Sequence, residues 1–220
     1  MINNLKSRFK KFGGDFIPDI IEYLKIQIGL NPNLTISVGC DSIQKRRKTT
    51  YAITIMLYDK EIKHGAHVVF FRESLDKVRN NVERLDKEAF YAHYVAEFLN
   101  TELSSFYKRN DLSETQRKFY KYHLERCEGN WGYVENHNLD TFIKNISLSD
   151  YEKDFEWKLV DIHLDYNPFE GTLDARGYSR NKSNLSYKTH VPWIRSSGFR
   201  VWVKPYSPAS TGAADLLLQD

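Results

Sequence analysis

The sequence predicts an α/β fold in which a mixed sheet, an antiparallel three-strand meander joined by later parallel strands, is flanked by helices and interrupted by a helical insertion. Three observations predict it. Alternating apolar runs come early and at short spacing, one long stretch then carries apolar residues at helical spacing, and an alternating run returns late in the chain.

Taken in order, residues 1–33 form a basic segment and a lead-in helix. Ser7 to Gly14 is basic and broken by glycine, and Ile17, Ile20, Ile21, Leu24 and Ile28 are spaced as one helical face. Gly29 to Asn33 supplies stop residues, after which Thr35 to Asp41 alternates and predicts a first strand ending in an aspartate. Lys45 to Lys48 reads as a charged turn, followed by strands over Tyr51 to Tyr58 and Ala66 to Phe71. From Asp76 to Leu103, Val78, Val82, Leu85, Ala89, Ala92, Val95, Ala96 and Leu99 mark a long helix without Pro or Gly.

Residues 104–155 turn polar and aromatic and read as an insertion with a helix over Ser113 to Glu125. Trp157 to Asp165 then sets Val160, Ile162 and Leu164 opposite Asp161, His163 and Asp165, a second strand tipped by an acid. Residues 166–197 are rich in Asn, Ser, Gly and Arg and read as a long functional loop. Phe199 to Lys204 is a last short strand, and Ala209 to Gln219 a closing helix. Residues 34–220 thus make one domain carrying an insertion and a long loop.

Composition narrows the function classes. With 220 residues, 41% hydrophobic and 14% aromatic, the chain can bury one sizeable core, which argues against wholesale disorder. A net charge of +3 is too small to imply a nucleic-acid partner by itself, so the placement of the bases matters more than their number. Two cysteines, Cys40 and Cys127, and no apolar run approaching the roughly 20 residues that span a bilayer lead us to expect a soluble protein of a reducing compartment. The cytoplasm is the expected location, or a virion or host cytoplasm for a viral protein.

The acids carry the functional expectation. Cutting a phosphodiester without a covalent intermediate calls for two hard cations about 4 Å apart held by oxygen ligands, hence carboxylates drawn from several elements. Asp41 on the first strand, Glu88 or Glu83 on the long helix, Asp165 on the late strand and Asp215 in the closing helix meet that requirement as catalytic and metal-binding candidates, Glu88 being preferred to Glu83 for its small neighbours Ala89 and Ala92. Ser37 and Gly39, on the Asp41 face, are small enough to admit metal and phosphate. The plainer alternatives are turn aspartates for Asp41 and Asp165 and solvated helix acids for Glu83, Glu88 and Asp215.

Asp161 lies four residues from Asp165, roughly 13 Å along a strand, so it is expected to be structural. His163 between them packs or relays a proton. Phosphate and base contacts fall to Ser42, Lys204, Arg200 and Trp202, with the basic segments Lys45 to Lys48 and Arg176 to Lys182 as further candidates.

Gly39-Cys40-Asp41-Ser42, His163-Leu164-Asp165 and Lys204-Pro205-Tyr206-Ser207 leading into Ala213-Ala214-Asp215 together resemble the motifs of the ribonuclease H-like YkuK family. The resemblance covers about residues 34–103 and 156–219. It implies a ribonuclease H-like fold and a magnesium- or manganese-dependent nuclease whose four acidic positions are matched by Asp41, Glu88, Asp165 and Asp215. The insertion and the long loop depart from that pattern.

The expected function is therefore two-metal hydrolysis of RNA, DNA or their hybrid. A non-catalytic module of the same fold, binding nucleic acid or sitting in an assembly through residues 104–155, is the alternative. A small-molecule phosphotransferase is disfavoured, because no Gly-rich phosphate loop follows the first strand.

Overall fold

The computed structural model describes residues 4–59, 66–107, 157–168, 183–204 and 206–219. The chain divides into two units, residues 1–108 with 158–220, and residues 109–157; the sheet and its helices belong to the first. The helix expected at Ser113 to Glu125, the basic stretch Arg176 to Lys182 and Pro205 lie outside the described residues.

A 3-10 turn at Leu5–Ser7 leads into β1 (Lys10–Lys11) and then α1 (Ile20–Leu30). Asp19 starts that helix by accepting the Ile21 and Glu22 amides at 2.8 and 3.2 Å, which satisfies two donors the first turn cannot. Its buried face is Ile20, Ile21, Leu24 and Ile28, the stripe read from the sequence. The meander follows as β2 (Leu34–Lys45), β3 (Lys48–Asp59) and β4 (His67–Asp76). Arg46, at φ 54°, takes the left-handed conformation that the two-residue turn between β2 and β3 requires.

Then come α2 (Asn81–Leu103), β5 (Val160–Leu164), α3 (Ser183–Ser196), β6 (Arg200–Trp202) and a closing π-helical segment, Ala209–Ala214. The six strands lie in the order β1-β4-β3-β2-β5-β6, with β5 parallel to β2 and β6 parallel to β5. This is the mixed sheet the sequence predicts. All five β5 residues are buried, because α2 covers one face of the sheet and the closing segment the other.

Several boundaries correct the sequence reading: β1 lies in a stretch read only as basic, and β4 runs to Asp76, where the long helix was expected to begin. β2 does not end at Asp41; the hairpin with β3 carries it four residues further, past the end of its parallel partner β5. Residues 166–197 are not one loop, since α3 occupies Ser183–Ser196. Its buried side is Asn184, Ser186, His190, Val191 and Ile194, so helical periodicity is carried largely by polar residues, and Pro192 further disguises it. The closing helix is shorter and wider than an α-helix over Ala209–Ala214.

Candidate functional site

Three neighbouring rungs of β2, β5 and β6 organise the site. Ser37, Asp161 and Arg200 are paired across the strands, and two residues on Gly39, His163 and Trp202 are paired. One step past the last paired positions, Cys40 with Leu164, the same register sets Asp41 beside Asp165. Lys204 extends β6 next to them: its amide donates to the Tyr166 carbonyl at 3.1 Å and its Nζ lies 2.7 Å from Asp165 Oδ1.

Alternation along β2 decides what lies behind each residue. Gly39 faces the closing segment so closely that a Cβ there would stand 2.4 Å from the Ala209 carbonyl carbon. The Ala209 amide donates to His163 Nδ1 at 3.1 Å and its carbonyl accepts from Thr54 Oγ1 at 2.7 Å. Gly39, His163 and Thr54 therefore form a seat for the chain leading to Asp215, and the smallness of Gly39 admits backbone rather than metal and phosphate. His163 is 2% exposed, and the nitrogen it presents to the closing segment is spent on this anchoring bond.

On the opposite face Ser42 meets α2. Its hydroxyl donates to Glu88 Oε1 at 2.5 Å, its amide donates to Asp41 Oδ1 at 2.7 Å, and its carbonyl accepts from the Arg84 guanidinium at 2.6 Å. Ser42 is 6% exposed, so it is a link between Asp41 and Glu88 rather than a substrate contact. Glu88 is 1% exposed, and its Oε2 is buried without a hydrogen-bond partner. Arg84, one turn earlier, lies 3.5 Å from Glu88 Oε1.

The acids feel one another. Burial, then the neighbouring Asp165 charge, pushes the Asp41 carboxyl up to about 6 against the pull of the Ser42 amide, with Asp215 adding to the rise. Burial and the Asp41 charge push Glu88 up to about 8, opposed by Ser42 and Arg84. The four candidate acids thus share one electrostatic neighbourhood. Asp215 is the exposed member, its Oδ2 accepting from Gln219 at 3.1 Å.

As they stand, the described residues hold no group of three His, Cys, Asp or Glu side chains drawn together tightly enough for an ion. The donor set nevertheless suits a hard divalent cation, being oxygen only, with Glu88 Oε2 buried and unpartnered. Asp41, Asp165, Glu88 and Asp215 are the residues that could hold one.

Two of the expected substrate contacts stand apart from the acid cluster. Trp202 is 4% exposed, packed edge-on toward His163 with ring centroids 6.5 Å apart, and offers no face to a nucleobase. Arg200 pairs with Asp161, four residues and roughly 13 Å from the acids along the strands. Lys204 reaches the site, but as the partner of an acid.

A family model described as Ribonuclease H-like matches residues 16–119. The fold is ribonuclease H-like. The matched stretch includes Asp41 and Glu88, while Asp165, Lys204 and Asp215 lie outside it and come beside them through the sheet register and the closing segment. Neither the curated proteins nor the solved structures contain a match to this chain.

Sequence reasoning missed Arg84 and Tyr166. The i, i+4 spacing of Arg84 and Glu88 was a usable signal. Tyr166, directly after Asp165, is fully buried and donates to the Leu85 carbonyl of α2 at 2.8 Å, while its hydroxyl lies 2.7 Å from His190 Nδ1. It ties the end of β5 to α2 and α3, and nothing in its sequence context announces that.

Proposed function

We propose that this chain is a divalent-metal-dependent nuclease of the ribonuclease H-like YkuK kind, hydrolysing phosphodiester bonds of RNA, DNA or RNA/DNA hybrid. Asp41, Glu88, Asp165 and Asp215 would hold magnesium or manganese. The observation that carries the reading is the position of Asp41 on β2 beside Asp165, one residue past the end of the parallel strand β5, backed by a buried glutamate with one unpartnered oxygen. Carboxylates are placed this way at a cost, since like charges and burial both oppose ionisation, and perturbed acids of this sort mark functional sites more often than structural ones.

A divalent cation bound there supplies Lewis acidity toward the scissile phosphate and lowers the pKa of water. The chain's own contribution is orientation. Ser42 fixes Asp41 and Glu88 relative to each other, and the seat at Gly39, His163 and Thr54 delivers the segment that carries Asp215.

Incubating wild type and Asp41→Asn with labelled RNA, DNA and hybrid, with and without manganese, tests the proposal. Manganese-dependent cleavage that disappears in the variant is expected; cleavage equal in both, or none in either, overturns it. The second reading, a non-catalytic nucleic-acid-binding or assembly module, is favoured by Lys204 and Arg84 already standing against two of the acids. Binding without cleavage, unaffected by Asp41→Asn, is its signature.

A further inference from the structure

Two cations fixed on the chain already stand in the acidic cluster. Lys204 is there because β6 runs parallel to β5 and its extension is held by the amide bond to Tyr166, which keeps the lysine backbone level with Asp165. Its Nζ lies 2.7 Å from Asp165 Oδ1 in a contact that is an ion pair without the alignment of a hydrogen bond. Arg84 is there because it lies one helical turn before Glu88 and is tied to the Ser42 carbonyl at 2.6 Å.

A two-ion site needs a carboxylate that offers an oxygen to each of two cations about 4 Å apart. One oxygen of Asp165 already faces an ammonium group. On the other side of the cluster Glu88 Oε1 is taken by Ser42 and Arg84, while Oε2 is open. On that side of the cluster the open oxygens are Glu88 Oε2 and the Asp41 oxygen that the Ser42 amide does not use.

We propose that the centre takes a single divalent cation, held on the Asp41 and Glu88 side, and that the Lys204 ammonium occupies the place of a second. This rests on the metal-dependent reading above and replaces the two-ion expectation drawn from the sequence. Lys204 then serves as a fixed positive charge beside the scissile phosphate, one that needs no free metal to be present.

The test is a count of bound manganese on the full chain without nucleic acid, by titration calorimetry and electron paramagnetic resonance. Wild type is expected to bind one ion, Lys204→Arg one, and Lys204→Gln two, with the second ion broadening the resonance through spin coupling to the first. Circular dichroism checks that the variants fold. Should Lys204→Gln fail to fold, the wild-type count still decides. Two ions in wild type overturn the single-ion proposal while leaving the metal-dependent reading intact, and no ion in wild type removes both. One ion in folded Lys204→Gln overturns the role given to Lys204.

Discussion

The rung Ser37, Asp161, Arg200 and the rung Asp41, Asp165, Lys204 are built from similar parts on the same three strands and the same face of the sheet. Each sets an aspartate of the β5 chain beside a base of the β6 chain. They differ in what lies beside them. Asp161 is 5% exposed within β5 and has Ser37 as its neighbour on β2, whereas Asp165 sits just past the end of β5 with a second aspartate alongside and Glu88 behind. An acid next to a base is ordinary sheet chemistry. An acid whose neighbour is another acid, at the carboxyl end of parallel strands where open α/β sheets bind ligands, is the arrangement that a bound cation would relieve.

The sharpest way to break this comparison is to neutralise one aspartate in each rung. Asp41→Asn is expected to lower manganese-dependent cleavage on the order of 10³-fold, the scale at which loss of a preorganised charged group acts on turnover. Asp161→Asn is expected to leave turnover near wild type and to lower stability by about 1–3 kcal/mol through a buried polar group left badly partnered. Cleavage assays paired with urea unfolding read both. Equal loss of activity in the two variants would erase the distinction between the rungs.

The second prediction concerns stability against pH. A carboxyl raised by the fold binds its proton more tightly folded than unfolded, so its contribution is present at low pH and is lost as pH rises. For Glu88 the window runs from the ordinary 4.5 to about 8, and for Asp41 from 3.8 to about 6. In metal-free buffer the unfolding free energy should therefore fall with pH between about 5 and 8, by up to about 1.4 kcal/mol per pH unit for each proton in play. Glu88→Gln should flatten the upper half of that slope, and added manganese should raise stability at pH 8 more than at pH 5. Denaturant titrations across the range check the sign; a slope unchanged in Glu88→Gln would show that the buried glutamate is not the titrating group.

How much of this is legible in the sequence depends on what fixes each residue's place. β2 to β6, α1 and α2 are readable because their burial is carried by apolar residues at period two or 3.6, and β5 can be placed because acids alternate with Val160, Ile162 and Leu164, whereas β1 is two half-buried lysines and carries no such signal. Asp41, Asp165, Glu88 and Asp215 can be named from their positions on elements. What stays hidden is everything set by register. Whether Lys204 or Arg200 stands next to the acids depends on a shift of four residues between β5 and β6, and no residue type records it. Likewise a glycine can make room for a ligand or for a backbone, and Gly39 makes room for Ala209.

The middle rung separates the two aspartates and supplies the third prediction. In Gly39→Ala the new methyl group would meet the backbone at Ala209 and Ser210, which cannot rotate aside as a side chain can. The closing segment must lift, at a cost of about 1–3 kcal/mol as for other overpacked sites. Activity should fall as well, because Asp215 travels with that segment, whereas Thr54→Ser, which keeps the hydroxyl donated to Ala209, should spare both. Loss of stability with full activity would mean that the seat supports the fold but does not position Asp215.

Arg200→Ala should have the smallest effect. Arg200 is half-buried on β6 and level with Asp161, so its removal costs the sheet some packing by the side-chain stem and leaves the acids untouched. Nucleic-acid affinity at moderate salt should stay near that of wild type, and the dependence of binding on salt should not change, since a lost phosphate contact lowers that slope by about 0.7 to 0.9 per charge. Binding isotherms at several salt concentrations give the slope directly. A reduced slope in Arg200→Ala would put nucleic acid along the whole face from Arg200 to Lys204, and the two rungs would then serve one binding path with chemistry at a single end.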